Sequence, residues 1–521
     1  MKVQPEEAGR VGLLFIMGIF MGLFIATMSV ASQSLFLEHF SETQDLPLAL
    51  LLSGAFGLFA TILYNFLQNR IPFPLLAALS LLAIVVITAF IEYGEGFFAD
   101  PNDMYMFGFT QVLPFSFIIY LVFWGAVGRL FNLRQSKRLV GTGDIGDLLT
   151  RILAFFSIPV IMDVFNVGAD TLYTISLVSI IVFLLLTIFL SFIHLNKTIS
   201  FRQEKAMYKK LQFSDFVKNR YIMYMSLFVI FSMIAITFVD FSFLNVANLN
   251  YAKEPDQLAG FISLFEGTIV IFTFLFDVFA TDRVNSDYGM RVSLLVNPFL
   301  LLIATGAALV LGIVFGFSEG DDLFVVFFIS IALSKLFIRS MREALDAPTF
   351  KLYLLPIESD IRIDVQTKIE GIVTAFASLV AGGLIMLITN SGWFNLIYIT
   401  IFTIPFLVLW FLSVNRMHRN YRQTLQNTLV KNKEKSDTSI VMEYTINGVL
   451  EKEVSSTAEE KVIYGLKLME NLEPALFENA IIPLAESDNR RLRKFAEEKI
   501  QAMGIEKDPS RTDIKSLAQQ A

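Results

Sequence analysis

Long apolar runs, each ended by a short polar or charged break, follow one another along most of the chain. A membrane-crossing helix needs about 20 mostly apolar residues. Twelve stretches meet that length: 11–37, 46–67, 73–92, 104–130, 139–162, 170–194, 222–248, 258–280, 288–315, 322–345, 364–388 and 393–414. The pattern predicts an all-α polytopic membrane protein. The first run ends in Ser29–Ala31, small residues of the kind found at a signal-peptide cleavage site. It is too long for the 7–15-residue core of such a peptide, so it is read as a span.

The breaks alternate in charge. One set of loops carries Arg70, then Arg129, Arg134, Lys137 and Arg138, then Lys197 through Arg220, Arg283 and Arg291, and Arg339 through Lys368. The opposite set carries only Lys253 among Glu92, Glu95, Asp100, Asp103, Glu319, Asp321 and Asp322. Basic loops stay in the cytoplasm, so both termini are predicted to be cytoplasmic. The spans divide into a six-helix half at 1–195, a basic cytoplasmic linker at 196–221 and a second six-helix half at 222–414. Six plus six in parallel orientation is the major-facilitator arrangement, with a substrate site near the midplane between the halves.

Composition agrees. The chain has 521 residues, 55% hydrophobic and 17% charged, including 53 Phe, with a mean hydropathy of +0.61. Globular proteins carry about 25% charge. A net charge of -7 gives no basic surface for nucleic acid. There is no Cys, and His39, His194 and His418 share no local spacing, so a metal site is not expected. No P-loop and no nucleophile with a base is present, and no cofactor or enzymatic activity is predicted. The expected partners are the lipid bilayer and a small solute.

GTGDIG, Gly141–Gly146, matches the dinucleotide pattern G-x-G-x-x-G. That pattern works between a strand and a helix in a βαβ unit. Here apolar spans flank it, so close helix packing is the better reading of the glycines. Asp144, Asp147 and Arg151 share one helical face one turn inside the span. Charges there belong in the bundle or a water-filled cavity, as a gating face or an ion-pair latch.

The other intramembrane charges are Asp240, Glu266, Asp277, Lys335, Arg339, Glu343, Asp346 and Glu370. Asp147–Arg151, Arg339–Glu343 and Arg342–Asp346 have the spacing of local pairs. Asp240 and Glu266 have no basic residue within a turn. They are candidates for proton or cation coupling, or for hydrogen bonds across helices to a residue such as Lys335. Lys335 and Arg339, one turn apart on span ten, are candidate anion contacts or interdomain ion pairs. Gln33 and Arg129 complete the predicted lining of a central path.

Several stretches resemble the ATP/ADP carrier family, the nucleotide translocases of plastids and intracellular bacteria. They are the basic run ending in GTGDIG, VDFSFLNVA at Val239–Ala247, REALDAPTFKLYLLPIESDIR at Arg342–Arg362, and ASQSLFLEHF at Ala31–Phe40. The resemblance implies a secondary transporter of the bacterial inner membrane, with a nucleotide or other phosphorylated anion as substrate. It also implies C-terminal HEAT-type repeats. One place departs from the pattern. Nucleotide-exchanging members share an Arg followed by a Lys–Asp pair at the end of helix one, where this chain has Ser32–Gln33–Ser34. ATP carries roughly three to four negative charges and needs several cations, and few cations are left after local pairing.

Residues 415–505 read as a cytoplasmic helical tail and 506–521 as a disordered end. Asp437–Lys452, Thr457–Asn471, Pro474–Ala485 and Asn489–Met503 look amphipathic. Val462, Leu466 and Met469 form one apolar stripe, and Leu492, Phe495, Ala496 and Met503 another. A shortened HEAT-like unit of this kind would dock on the membrane domain or on a protein partner. The competing function is therefore a membrane scaffold built on a transporter fold.

Overall fold

A computed structural model describes residues 5–40, 45–68, 70–98, 100, 102–130, 133–193, 216, 218–251, 255–281, 283–316, 324–391 and 396–442. In the tail it describes 462, 463, 466, 467, 470, 477, 481–486 and 489–503, and it leaves the side chains of 133–145 and 427–442 undescribed. Twelve helices among these residues are long and apolar enough to cross a membrane. A chain in lipid must satisfy its backbone internally, and each apolar run does so as a helix.

The first half comprises α1 (Pro5–His39), α2 (Asp45–Leu67), α3 (Phe73–Tyr93), α4 (Asp103–Leu130), α5 (Leu133–Phe165) and α6 (Thr171–Ile193). The second comprises α7 (Arg220–Tyr251), α8 (Pro255–Phe276), α9 (Gly289–Phe315), α10 (Phe324–Met341), α11 (Thr374–Thr389) and α12 (Leu396–Met442). Among the described residues, four π-helical segments, Asp277–Thr281, Val284–Tyr288, Arg342–Asp346 and Lys368–Val373, interrupt the second half. After the third, Ala347–Tyr353 continues the line of α10.

Two lateral seams join the halves, α2 against α11 and α5 against α8. They exchange under a six-helix repeat. The first is closed by glycines: a Cβ on Gly54 would lie 2.5 Å from Leu379 Cα, and one on Gly382 would lie 2.6 Å from Leu51 Cα. Without side chains at these points the two backbones approach closely.

Proline shapes the second seam. Pro159 lies inside α5 and has no N–H for the carbonyl of Phe155. Ser263 of α8 donates to that carbonyl at 2.6 Å and satisfies it across the seam. The same device recurs beyond α10. Pro348 cannot serve the carbonyl of Ala344, and Thr281 Oγ1 donates to it at 2.7 Å.

GTGDIG lies inside the continuous helix α5. A Cβ on Gly146 would come 2.6 Å from the Phe15 carbonyl oxygen, and one on Gly22 would come 2.7 Å from that of Asp147. Gly146 therefore serves close packing of α1 on α5. The side chains of Arg134, Lys137, Arg138 and Asp144 lie outside the described residues, as does the linker at 196–215.

The chain separates into compact units at 1–426 and 427–521. In the second, Val462, Leu466, Phe477, Ile481, Ala485 and Ala496 form a small buried core. The helix α13 (Arg490–Met503) contributes Ala496, and Lys499 pairs with Glu470. The other expected tail helices lie largely outside the described residues.

Candidate functional site

The apolar core encloses a cluster of seven charged side chains from four helices. VDFSF on α7 supplies Asp240 and, nearly one turn on, the fully buried Phe243. The neighbouring α8 supplies Phe261, Phe265 and Glu266. Lys335 and Arg339 come from α10, with Glu343 in the π segment that follows. Asp147 and Arg151 come from α5, in the other half.

Lys335 is 2% exposed. Its ammonium lies 2.7 Å from Glu266 Oε1 and 4.0 Å from the centre of the Phe243 ring. Phe243 and Phe265 stack with centroids 4.6 Å apart. Phe261 stacks on Phe243 and is covered by Tyr251, 5.0 Å away. The rings close the space beside Lys335 and hold its charge over π faces. Arg339 donates both Nε and Nη2 to the Asp240 carboxylate, with Nε at 3.3 Å from Oδ1. This fork holds α10 to α7.

Two contacts of Arg151 differ in quality. Its Nη2 is 3.0 Å from Asp147 Oδ2 on the same helix, and its Nη1 is 3.6 Å from Glu343 Oε2 of the opposite half. Glu266 also lies within electrostatic reach of Arg339 and Arg151, and Arg342 within reach of Arg339, Glu343 and Asp240, so the cluster is one network that extends to Arg342. Arg339 and Glu343 are 40% and 42% exposed, and no other of the seven exceeds 19%.

Some expected pairings change. Asp147–Arg151 forms as its spacing predicts. Arg339 and Glu343 do not pair with each other: Arg339 meets Asp240 and Glu343 meets Arg151. Arg342 points its guanidinium at the Met233 sulfur, and Asp346 accepts from Asn297 Nδ2 at 2.6 Å. The cause is the π segment, whose wider turn breaks the α-helical i,i+4 alignment. Asp240 and Glu266 are not isolated, because each meets a cation from α10.

Arg129 and Gln33 have surroundings of their own. Arg129 stacks over the Phe73 ring at 3.9 Å and donates Nη1 to the Gly125 carbonyl at 2.9 Å. Gln33 is half-buried on α1, and its neighbour Ser32 accepts from Tyr173 Oη at 3.2 Å. Glu343 and the three stacked Phe rings were not singled out as site residues in the sequence. The visible signals were adjacency, Phe265 beside Glu266 and Phe243 three residues after Asp240.

Solved structures share the helical fold. The nucleoside transporter NupG is 13% identical with a TM-score of 0.52, covering 78% of this chain and 98% of its own. A POT family transporter solved with 5-aminolevulinic acid is 12% identical with a TM-score of 0.54, covering 80% and 96%. A D-xylose-proton symporter is 13% identical with a TM-score of 0.52, covering 78% and 96%. The fold is of the major-facilitator type. At these identities the likeness speaks for the fold alone. No family profile matches the chain, and no curated protein matches it in sequence.

Proposed function

We propose that the chain is a secondary transporter that works by alternating access in a bacterial inner membrane, with both termini cytoplasmic. The observation that carries this reading is the charged network inside the bundle, linked across the two halves by Arg151–Glu343. Charges in a membrane interior are expensive and mark solute and ion pathways. Lys335 and Arg339 are the proposed solute contacts, joined by Gln33 and Arg129 when the halves rotate. Asp147, Arg151, Asp240 and Glu266 couple or gate the movement, with Asp144 on the same face of α5 by its spacing.

The resemblance to the ATP/ADP carriers points to a phosphorylated anion. The uncharged Ser32–Gln33–Ser34 and the pairing of each cation in the cluster argue against ATP/ADP exchange. The scaffold reading draws support from the same pairing and from the rings packed against Lys335.

Uptake into proteoliposomes under a proton or counter-solute gradient tests the proposal. Uptake that is lost in Lys335→Ala and Arg339→Ala supports transport. Folded protein with no uptake under any gradient supports the scaffold.

A further inference from the structure

We infer that the basic end of the α12 span, with the start of α9 against it, binds the headgroup of an anionic phospholipid. The topology proposed above puts this end in the cytoplasmic leaflet; the binding itself does not depend on that topology.

The exposed face of α12 changes character within one turn. Val408, Phe411 and Leu412 are exposed and apolar, and their spacing puts them on one side of the helix. Arg416 follows Leu412 by four residues, then Arg419 and Arg422 come at steps of three, all exposed and continuing that side. An apolar stripe that runs directly into guanidiniums passes from acyl chains to headgroups. The start of α9 repeats the junction. Arg291 and the apolar Val292 beside it are both exposed. Arg291 Nε donates to Asn415 Oδ1 at 2.9 Å, which holds this end of α9 against α12.

These charges are not spent inside the protein. Arg291, Arg416, Arg419 and Arg422 make no ion pair among the described residues. Asp287, one turn before Arg291, accepts from Ser286 instead. Arg291 and Arg422 both lie within electrostatic reach of Tyr353 and His418, whose Oη and Nδ1 are 2.8 Å apart. Like charges gathered without a counterion repel one another. The cations of the central cluster differ in this respect, since Arg151, Lys335 and Arg339 each meet a carboxylate.

The missing counterion can be a phosphodiester. A guanidinium presents parallel N–H donors that match two phosphate oxygens, and Arg291 keeps both Nη groups for this after bonding Asn415. A free phosphate would use the arginines alone. A phospholipid also lays its chains along Val408, Phe411 and Leu412, so the surface as a whole selects a lipid.

The test places full-length protein in nanodiscs of phosphatidylcholine and in nanodiscs of phosphatidylglycerol. Thermal stability should be higher in phosphatidylglycerol, and native mass spectrometry from an equal mixture should show phosphatidylglycerol retained. Each arginine at an anionic surface contributes about a fivefold gain, so Arg419→Gln with Arg422→Gln should weaken the preference by about tenfold or more. Both side chains are exposed, so the double variant should fold. Soluble glycerol 3-phosphate should give no shift.

Equal stability in the two lipids would overturn the inference, as would a preference that survives the double variant. Stabilisation by glycerol 3-phosphate equal to that by phosphatidylglycerol would show a free-anion site and also overturn it. Both faces of a nanodisc carry the same lipid, so a reversed topology would not mask the result. Uptake that persists without a lipid preference would overturn this inference alone.

Discussion

Removing Lys335 tests whether the central network is a set of mutually dependent charges. Its ammonium lies 2.7 Å from Glu266 Oε1 and is 2% exposed. At an effective dielectric constant of 20 this separation corresponds to about 6 kcal/mol of attraction, most of it offset by desolvating both ions. Lys335→Met leaves Glu266 without its nearest counterion and removes the charge over Phe243. Glu266→Gln leaves a buried ammonium with aromatic rings and no carboxylate beside it. Each single change should destabilise the protein by about 3–5 kcal/mol, the cost of a stranded buried charge. The double variant restores neutrality and should lose less than the sum, with a coupling of about 2 kcal/mol or more. Equilibrium unfolding in detergent, followed by the fluorescence of the fully buried Trp410, gives the three differences. Effects that add to within about 0.5 kcal/mol would mean the two groups do not depend on each other, and the network description would fail.

Ser263→Ala should destabilise the protein by about 1–3 kcal/mol, because the carbonyl freed by Pro159 loses its donor across the seam; the same unfolding measurement checks it. Gly54→Leu should separate α2 from α11, since a Cβ there already meets Leu379 Cα at 2.5 Å; spin-label distances between the two helices should lengthen, or folded yield should collapse. A cysteine placed at Asn102 should react with an impermeant reagent in intact cells while one at Ser436 should not, and the chain's lack of native Cys keeps the readout clean. Reversed labelling would invert the proposed topology.

The spans could be read from the sequence because an apolar run of 20 residues has few alternatives to a membrane helix. The charged positions were legible for a related reason: each is costly in a bilayer, so Asp147, Arg151, Asp240, Glu266, Lys335 and Arg339 stand out. Their partners were not legible. Sequence spacing reveals only neighbours on the same helix, and it finds Asp147–Arg151. Glu266–Lys335 and Asp240–Arg339 depend on how α7, α8 and α10 are rotated against one another. Arg339–Glu343 misleads because the π segment undoes the spacing that suggests it. Pro348 was visible in the sequence, but the donor that serves the carbonyl it frees, Thr281, is on another segment. Arg129 carries the same charge as the cluster cations, yet it is spent on Phe73 and the Gly125 carbonyl.

The balance between transport and scaffold turns on where strong bonds fall. Lys335–Glu266 and Arg339–Asp240 both lie within the second half and fix its own helices. Asp147–Arg151 lies within the first. Among the described residues, the ion pair Arg151–Glu343 between the halves is long at 3.6 Å, with Glu343 42% and Arg151 12% exposed. That is too long for a hydrogen bond. Lys351 near the Trp124 ring, at 5.6 Å, is a second loose contact across the halves. Each half therefore keeps its closest ion pairs to itself, a division that the proposed rocking would require. A scaffold has no need of this division and could place its best ion pairs across the seam. Opposite charge reversals at Arg151 and Glu343 separate the two cases. Arg151→Glu alone should abolish uptake and also cost stability, because it sets a second carboxylate against the buried Asp147. Arg151→Glu with Glu343→Arg should recover part of the uptake. Equal loss of stability in both variants, with no uptake in either, would return the advantage to the scaffold.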